Sequence, residues 1–219
     1  MAKPFELKFS NRVIEHLGIK LYQNKPTNVV AEFLSNSWDA DAFNVQIELK
    51  AQGAGGKPII VITDDGRGMT RDELTDEFLI IGRNRRGEPT ERTPAGRLPM
   101  GRKGIGKLAG FGIAGTVDVI SSPNIQLRRD ADIVAQSFYW LRFSLQELIA
   151  KSTASLTGSY EPEVIADGVN LNVLQDLVIN NGCEEECRHF LENSISGKGG
   201  VCIICLLYTS PSPRDKRQS

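Results

Sequence analysis

The sequence AEFLSNSWDADAF, residues 31–43, places two acids and an amide in a stretch that otherwise has the pattern of a core helix. At 3.6 residues per turn, the i, i+4, i+7 spacing of Glu32, Asn36 and Asp39 aligns them on one stripe. A solvated helix face commonly mixes Lys with Glu, but this stripe has no Lys or Arg. The stripe therefore predicts a polar site built on a helix. Apolar residues are expected to cover much of the rest: Val30, Phe33, Leu34, Ala40 and Phe43.

Length and composition fit one globular domain, because 219 residues with 40% hydrophobic and 24% charged side chains can bury a sizeable core. The net charge of −1 argues against a dedicated nucleic-acid-binding domain, since such domains are usually strongly basic. The N-terminal residues lack the apolar segment of a secretory signal. No run reaches the roughly 18 apolar residues that a membrane span needs. We therefore expect a cytoplasmic protein with no membrane association.

Several further segments carry the periodicity of strands or helices. Residues 44–50 (NVQIELK) predict a half-buried strand, and residues 59–63 (IIVIT) predict a fully buried strand that pairs with it in a hairpin. Helix starts are predicted at residues 26–28 (PTN), with a hydroxyl or amide as N-cap, and at the capping box of Thr70 and Glu73. Weaker signals predict helices in residues 14–22, 105–115, 145–151 and 183–193, and strands in residues 116–121, 138–145 and 199–207.

The buried strand runs directly into DDGRGMT, residues 64–70, in which an acid is followed by two glycines. Gly66 and Gly68 would let the backbone turn sharply and pass close to a ligand. Taken alone, this pattern is also typical of an ordinary turn. Its surroundings favour a ligand site, because the polar stripe lies upstream and the glycine-rich segment GRKGIGKLAGFG, residues 101–112, lies downstream.

The glycine-rich segment matches two familiar nucleotide-binding patterns only in part. Residues 101–107 fit G-x-x-x-x-G-K, but Leu108 stands where a phosphate loop places Ser or Thr, and no strand pattern precedes the motif. Residues 110–115 fit G-x-G-x-x-G, but a strand pattern follows where a dinucleotide-binding fold needs a helix. The surroundings support neither motif.

A third interpretation accounts for all three segments together. The order E-x-x-x-N-x-x-D-A in residues 32–40, D-x-G-x-G in residues 64–68 and G-x-x-G-x-G in residues 101–106 resembles the GHKL ATPases. This superfamily comprises gyrase-type topoisomerases, ninety-kilodalton heat-shock chaperones, histidine kinases and mismatch-repair ATPases. The resemblance covers about residues 10–122, just over half of the chain. It implies an α/β two-layer sandwich, the Bergerat ATP-binding fold, in which helices cover one face of a mixed, mostly antiparallel sheet.

The resemblance also implies a role for each residue of the predicted site. Glu32 resembles the carboxylate that activates water for attack on the γ-phosphate, and Asn36 resembles the residue that gives a side-chain oxygen to Mg²⁺. Asp64 resembles the acid that accepts a hydrogen bond from the adenine amino group. The other implied ATP contacts are Asp39, Gly66, Gly68, Met69, Gly101, Lys103, Gly104, Gly106 and Lys107. Arginines of the loop that matches the family's mobile lid are optional phosphate or partner contacts: Arg83, Arg85, Arg86, Arg92 and Arg97.

The stripe favours the hydrolase branch of this superfamily over the kinases. Histidine kinases carry a different motif on this helix and need a phospho-accepting histidine, whereas His16 and His189 have the setting of surface or packing residues. We expect Mg²⁺-dependent ATP binding, and hydrolysis that drives a conformational or dimerisation cycle. The alternative is a nucleotide-gated interaction module without turnover. Residues 199–201 (GGV) support it, because they lack the hydroxyl of the Gly-Thr strand start that the resemblance implies.

The cysteines and the C-terminal residues complete the domain prediction. Cys183, Cys187, Cys202 and Cys205 have a spacing compatible with zinc, but the last two lie in a buried-strand pattern that points them to opposite faces. Reduced thiols are therefore favoured. Residues 1–205 are assigned to an ATP-binding domain that we expect to be incomplete, and residues 206–219 to a disordered or non-native tail.

Overall fold

A six-stranded sheet with the strand order β2-β3-β8-β4-β5-β7 forms the centre of the computed structural model, and each of its five pairings is antiparallel. The structure describes residues 3–10, 25–53, 56–80, 92–100, 106–128, 135–152 and 157–208. The strands are β1 Leu7–Ser10, β2 Val45–Lys50, β3 Ile59–Asp64, β4 Ala114–Ser122, β5 Phe138–Ser144, β6 Thr157–Tyr160, β7 Glu163–Val169 and β8 Gly200–Leu207. The α-helices are α1 Pro26–Asp39, α2 Arg71–Glu73, α3 Leu145–Ser152, α4 Leu171–Asn180 and α5 Glu184–Ile195.

The predicted hairpin of β2 and β3 is confirmed, with Val45 opposite Asp64 and Lys50 opposite Ile59. The β-branched strand β3 is buried at every position, as its sequence predicts. Its second neighbour is β8, which inserts between β3 and β4 although it comes last among the described strands. Asp64, the last residue of β3, therefore lies opposite Val201 near the start of β8. Strands β1 and β6 form a separate antiparallel pair.

Helical elements cover both faces of the sheet. Ile60 and Ile62 point into a core formed with α1 and with the 3-10 helix Gly106–Gly112, whereas Ile59 and Val61 point into a core formed with α4 and α5. The α/β sandwich with an antiparallel sheet is confirmed. The layer of α4 and α5 was not predicted, and its physical reason is the strand β3, because a strand buried on both faces needs cover on both sides.

Helix α1 begins at Pro26, as predicted, but its N-cap is Lys25 and no side chain caps its first turn. The helix buries Val29, Phe33 and Ser37, which follow each other at intervals of four residues along its inner face. The expected burial of Leu34 and Phe43 is wrong, because these side chains are 41% and 70% exposed. Leu34 lies one position beyond the buried Phe33 and therefore turns toward the outer surface.

Other sequence predictions are confirmed with small changes of boundary. The capping box of Thr70 and Glu73 is present in full, and α2 continues as a π-helical turn over Leu74–Phe78. The structure contains the predicted helices near residues 145 and 184 and the strands of residues 114–122, 138–144 and 200–207. The predicted tail begins too early, because Leu206 and Leu207 pair with β3 and β4. The predicted helix of residues 14–22 lies outside the described residues.

Among the described residues, no helix combines the length and the apolar character that a bilayer crossing needs.

Candidate functional site

The polar stripe of α1 faces the 3-10 helix that starts at Gly106. Glu32 and Asp39 are partly buried and Asn36 is exposed. A β-carbon on Gly106 would lie 1.9 Å from Oε1 of Glu32, a distance that no side chain could occupy unless the carboxylate moved. Gly106, the last glycine of the G-x-x-G-x-G motif, therefore lies directly against the first member of the stripe, and a larger residue there would displace the Glu32 carboxylate.

Asp64 is the buried acid at the end of β3. Its Oδ2 accepts a hydrogen bond from Ser37 Oγ at 2.9 Å, and its Oδ1 accepts one from the backbone N–H of Gly66 at 3.0 Å. Burial raises the pKa of Asp64 to about 6, although hydrogen bonds from Gly66, Ser37 and the backbone of Val201 lower it in part. The site thus holds a buried carboxyl group whose oxygens are positioned by hydrogen bonds from within the chain.

The turn after Asp64 depends on both of its glycines. A β-carbon on Gly66 would lie 2.8 Å from the carbonyl oxygen of Ala40. Gly68 has a φ of +57°, and a β-carbon there would lie 1.8 Å from the carbonyl oxygen of Ser122. Met69 then donates its backbone N–H to Ser121 Oγ at 2.9 Å. The predicted sharp turn is present, and Gly68 packs against the end of β4, whereas a close approach of this turn to a ligand stays a prediction.

Arg128 braces the same turn, and no sequence pattern predicted this role. Its side chain is 3% exposed, and it donates to the carbonyl oxygens of Arg67 at 3.1 Å and Gly68 at 2.9 Å. Its Nη2 also donates to Glu73 Oε2 at 2.5 Å. Burial alone would raise the pKa of Glu73, but the hydrogen bonds from Arg128 and Thr70 hold it below its ordinary value. The capping box of α2 and the glycine turn therefore share one buried guanidinium.

A cavity of about 210 Å³ adjoins this turn. Met69 and Phe78 give its lining apolar surface, and Glu73, Glu77 and Arg128 give it charged groups. A lining of this mixed kind suits a ligand group that has apolar faces and polar edges.

Residues 92–100 lie against the C-terminal end of α1. Met100 donates its backbone N–H to Asp39 Oδ1 at 2.7 Å, and Trp38 donates its indole N–H to the carbonyl oxygen of Leu98 at 2.9 Å. Arg97 donates to the carbonyl oxygen of Ala42 at 2.8 Å, and Arg92 to that of Gly96 at 2.7 Å. Both arginines thus make contacts within the chain, and Asp39 bonds to the residue that precedes the glycine-rich segment.

Part of the predicted site lies outside the described residues. This applies to Gly101, Lys103 and Gly104, and among the optional arginines to Arg83, Arg85 and Arg86. Lys107 belongs to the 3-10 helix, where only its backbone is described. The structure therefore brings together the stripe, the Asp64 turn and Gly106.

The cysteines lie away from the stripe. Cys202 belongs to the core on the side of α5 and Cys205 to the core on the side of α1, which confirms that they face opposite sides of β8. Sγ of Cys183 lies 3.8 Å from Sγ of Cys187, and burial and neighbouring thiols raise the pKa of Cys187. Within the described residues, no group of three His, Cys, Asp or Glu side chains is arranged to hold a metal ion. His189 contacts Glu48 at 3.1 Å on the surface of the α5 layer.

Comparison with known proteins gives relatives that each match a part of this chain. A putative type II restriction enzyme, HgiDII, from Herpetosiphon aurantiacus is 41% identical over 117 residues, or 53% of this chain and 18% of that protein. The DNA mismatch repair protein MutL from Acidobacterium capsulatum is 36% identical over 69 residues, or 32% of this chain and 10% of that protein. MutL from Solibacter usitatus is 49% identical over 54 residues, or 25% of this chain and 8% of that protein. Each match spans less than a fifth of the relative's length.

A family match covers the residues that carry the motifs of the candidate site. Residues 24–141, more than half of the chain, match the family described as "Histidine kinase-, DNA gyrase B-, and HSP90-like ATPase". The range includes the stripe of α1, the Asp64 turn, the glycine-rich segment and β4. With the antiparallel sheet and the packing of Gly106 on Glu32, it confirms the resemblance to the GHKL ATPases. The chain belongs to the histidine kinase-, DNA gyrase B- and HSP90-like ATPase family.

Proposed function

We propose that this chain binds Mg²⁺-ATP between the stripe of α1 and the Asp64 turn, and that it hydrolyses the γ-phosphate. The observation that carries the proposal is Asp64, a buried carboxyl group whose position is fixed by Ser37 and Gly66. A carboxylate has about four lone-pair positions, and hydrogen bonds from Ser37, Gly66 and the backbone of Val201 use three of them, so Asp64 can accept one further hydrogen bond from a ligand. An exocyclic amino group donates such a bond, whereas the keto oxygen of guanine at the same place does not.

The turn after Asp64 supports recognition of the adenine base. Gly68 keeps the backbone close to Ser122, and Arg128 holds the carbonyl oxygens of the turn in place. Met69 and Phe78 offer apolar surface to the faces of a ring. Recognition would thus use one hydrogen bond to the buried acid, with van der Waals packing around it.

The stripe supports the chemistry at the phosphates. Within the described residues, Asn36 and Glu32 form no side-chain hydrogen bond, so the amide oxygen and the carboxylate are available to a ligand. Mg²⁺ prefers oxygen ligands, keeps several waters and is usually bound together with substrate phosphates, which fits a single amide oxygen from Asn36. When bound, the ion would neutralise charge that develops on the phosphates. Glu32, one helical turn away, would orient a water molecule and accept its proton.

The second candidate is a module that binds ATP without turnover. Val201 lies opposite Asp64 at the start of β8, where the resemblance leads us to expect a hydroxyl near the phosphates. The missing hydroxyl removes one expected phosphate contact, whereas Glu32, the candidate general base, is present. Phosphotransfer to histidine is a weaker candidate, since His189 contacts Glu48 and Glu192 on the far side of the sheet.

We also propose a nucleotide-dependent homodimer, with DNA as the client. The names of the relatives, a restriction enzyme and mismatch repair proteins, support a DNA client, but they describe those longer proteins. Sedimentation velocity with and without a non-hydrolysable ATP analogue would measure the dimer. A sedimentation coefficient that the analogue does not change would contradict it.

Titration calorimetry with ATP, GTP and adenosine tests base recognition. Wild type should bind ATP in the presence of Mg²⁺ and bind GTP far more weakly. Asp64→Asn replaces one accepting oxygen by an amide and should lose several-fold to about a hundredfold in affinity, since a buried hydrogen bond contributes about 1–3 kcal/mol. Asp118→Asn is the matched control, because Asp118 is equally buried but pairs with Arg142 on the other face of the sheet. Equal ATP affinities of wild type and Asp64→Asn would refute the assignment.

A further inference from the structure

Strand β2 forms one edge of the six-stranded sheet, and within the described residues only β3 pairs with it. The backbone N–H of Asp65 donates to the carbonyl oxygen of Asn44, so these residues form a hydrogen-bonded pair next to the first pair of the ladder. Bonded and non-bonded pairs alternate along an antiparallel ladder. Val45, Ile47 and Leu49 therefore direct their backbone N–H and C=O groups away from β3, toward the open edge.

The same three residues carry apolar side chains on the face of the sheet that α1 covers. Ile47 lies opposite Ile62 and Leu49 lies opposite Ile60, and both partners belong to the core on the side of α1. Ile47 is nevertheless 37% exposed and Leu49 is 74% exposed, so this core does not reach across β2. An exposed apolar strand at a sheet edge is a surface on which another strand can add.

The opposite edge strand, β7, has features that oppose such addition. Its pairing with β5 shifts register at two places, and its Gly168 has a φ of +69°. Glu163 and Asp167 add exposed charges to the same strand. By contrast, β2 keeps one register with β3 over all six of its residues. Sheets commonly protect their free edges with bulges and charges, so the regular, apolar edge of β2 is the one that suits an interface.

We propose that β2 pairs with β2 of a second copy of this chain, antiparallel and about a two-fold axis at Ile47, without a need for nucleotide. In this register Ile47 lies opposite the partner's Ile47, and Val45 lies opposite the partner's Leu49. All of these residues direct their backbone groups to the open edge, as a new antiparallel ladder requires. Their side chains form apolar cross-strand pairs on one face.

The polar face of β2 is complementary to itself in the same register. Glu48 lies opposite the partner's Gln46, and Lys50 lies opposite the partner's Asn44, so no like charges are directly opposite. The two Glu48 carboxylates are diagonal neighbours about 7–8 Å apart, and each lies 3.4 Å from the Lys50 ammonium of its own chain. The match of the strand with itself on both faces favours a second copy over an unrelated strand.

The proposed interface is separate from the candidate ATP site. It is formed by β2 and not by the stripe of α1, so it differs from the nucleotide-dependent homodimer proposed above and does not rest on the proposed function. Opposite residues of a strand pair point to the same face, so the α1 layers of the two copies lie on the same side of one continuous sheet.

Sedimentation velocity of the 219-residue chain without nucleotide measures this interface. Wild type should show a concentration-dependent dimer between about 1 and 100 μM, as is typical of a small interface. Ile47→Pro removes the outward N–H at the axis but no bond between β2 and β3, since proline is tolerated where an edge N–H faces outward. This variant should dimerise at least about tenfold more weakly.

A pair of charged variants tests the register and the identity of the partner together. Ile47→Lys and Ile47→Glu should each be monomeric alone, because like charges would lie opposite each other across the axis. An equimolar mixture of the two variants should form the dimer again, because each lysine then lies opposite a glutamate. Val164→Lys is the matched control, since it places a charge at an exposed valine of β7 and should dimerise as wild type does. Circular dichroism verifies that every variant is folded.

The outcomes separate this inference from the proposed function. A wild type that remains monomeric at about 100 μM refutes the inference. A dimer that forms only with the ATP analogue supports the homodimer of the proposed function and overturns the pairing of β2. A dimer that persists in Ile47→Pro, or a mixture of the Ile47→Lys and Ile47→Glu variants that stays monomeric, also overturns it, because another surface or register then joins the copies. A β2 dimer that binds no ATP would refute the proposed function alone.

Discussion

A β-carbon on Gly106 would lie 1.9 Å from Oε1 of Glu32 and 2.4 Å from its Cγ, so this glycine and this glutamate share one small space. The contact joins the first member of the stripe to the last glycine of the G-x-x-G-x-G motif, across 74 positions of sequence. The φ of Gly106 lies outside the positive range that favours glycine, so the reason for a glycine here is steric. The contact limits where the carboxylate can point.

Gly106→Ala should impair hydrolysis far more than folding. The new methyl group meets the end of a flexible side chain, which can rotate away, so the free energy of unfolding should change by less than about 1 kcal/mol. The displaced Glu32 carboxylate would no longer orient water, and single-turnover hydrolysis should fall by about 10²-fold or more. ATP affinity and hydrolysis are measured on the same preparation, and urea unfolding gives the stability.

Gly115→Ala is the control for this substitution, since a β-carbon there meets only the Tyr208 ring at 3.3 Å. The double variant Glu32→Ala/Gly106→Ala adds a second test. If Gly106 acts through Glu32, the double variant should hydrolyse ATP no more slowly than Glu32→Ala alone. Additive losses would show that Gly106 acts in another way.

Asp64 should make stability depend on pH in the direction opposite to that of a salt-bridged acid. Its pKa is raised by burial to about 6, so the folded state favours the protonated form. In the unfolded chain the pKa of an Asp carboxyl is near 3.9. The stabilisation by protonated Asp64 is present in full below that pH and is lost as pH rises through about 6. The stability of Asp64→Asn relative to wild type should therefore rise by about 3 kcal/mol between pH 4 and pH 8.

Chemical unfolding of both proteins over this pH range measures the difference. Asp64→Asn would then stabilise the ligand-free protein, because it removes a buried carboxylate. Such a loss of stability is common where a functional group is buried. A difference that stays flat from pH 4 to pH 8 would mean that Asp64 titrates at its ordinary pKa.

Arg128→Lys tests the brace on the base side of the site. Lysine keeps the charge but lacks the planar set of N–H groups that donates to the carbonyl oxygens of Arg67 and Gly68 at the same time. The turn should therefore become more mobile. ATP and adenosine should both bind about tenfold more weakly, with their affinity ratio unchanged. Arg142→Lys, in the ion pair with Asp118 on the opposite face, is the matched control. A loss confined to ATP would place Arg128 at the phosphates instead.

The sequence predicted the part of the fold in which local pattern and tertiary structure agree. The hairpin of β2 and β3 follows from alternation and β-branching, and the turn after Asp64 follows from its glycines. The insertion of β8 between β3 and β4 could not be read from local pattern, because the pairing joins residues more than 130 positions apart. The layer of α4 and α5 follows from the same long-range arrangement.

The candidate site shows the same limit. Glu32, Asn36 and Asp64 were identifiable because motif spacing marks them. Ser37 and Arg128 were not, since a serine inside a helix and an arginine after a strand carry no pattern of their own. The hydrogen bond from Met100 to Asp39 could not be predicted either, because Met100 lies in a loop without periodicity.

The function of Glu32 is the central claim, and one paired measurement tests it. Glu32→Ala should bind ATP as well as wild type or slightly better, since a carboxylate near the γ-phosphate repels it. Equilibrium binding and single-turnover hydrolysis, with protein in excess over ATP and Mg²⁺ present, are followed for both proteins. The account predicts intact binding and a fall in hydrolysis of about 10²–10⁴-fold, the usual contribution of a positioned general base. A wild type that binds ATP but hydrolyses it no faster than Glu32→Ala would contradict the enzyme and favour the nucleotide-gated module.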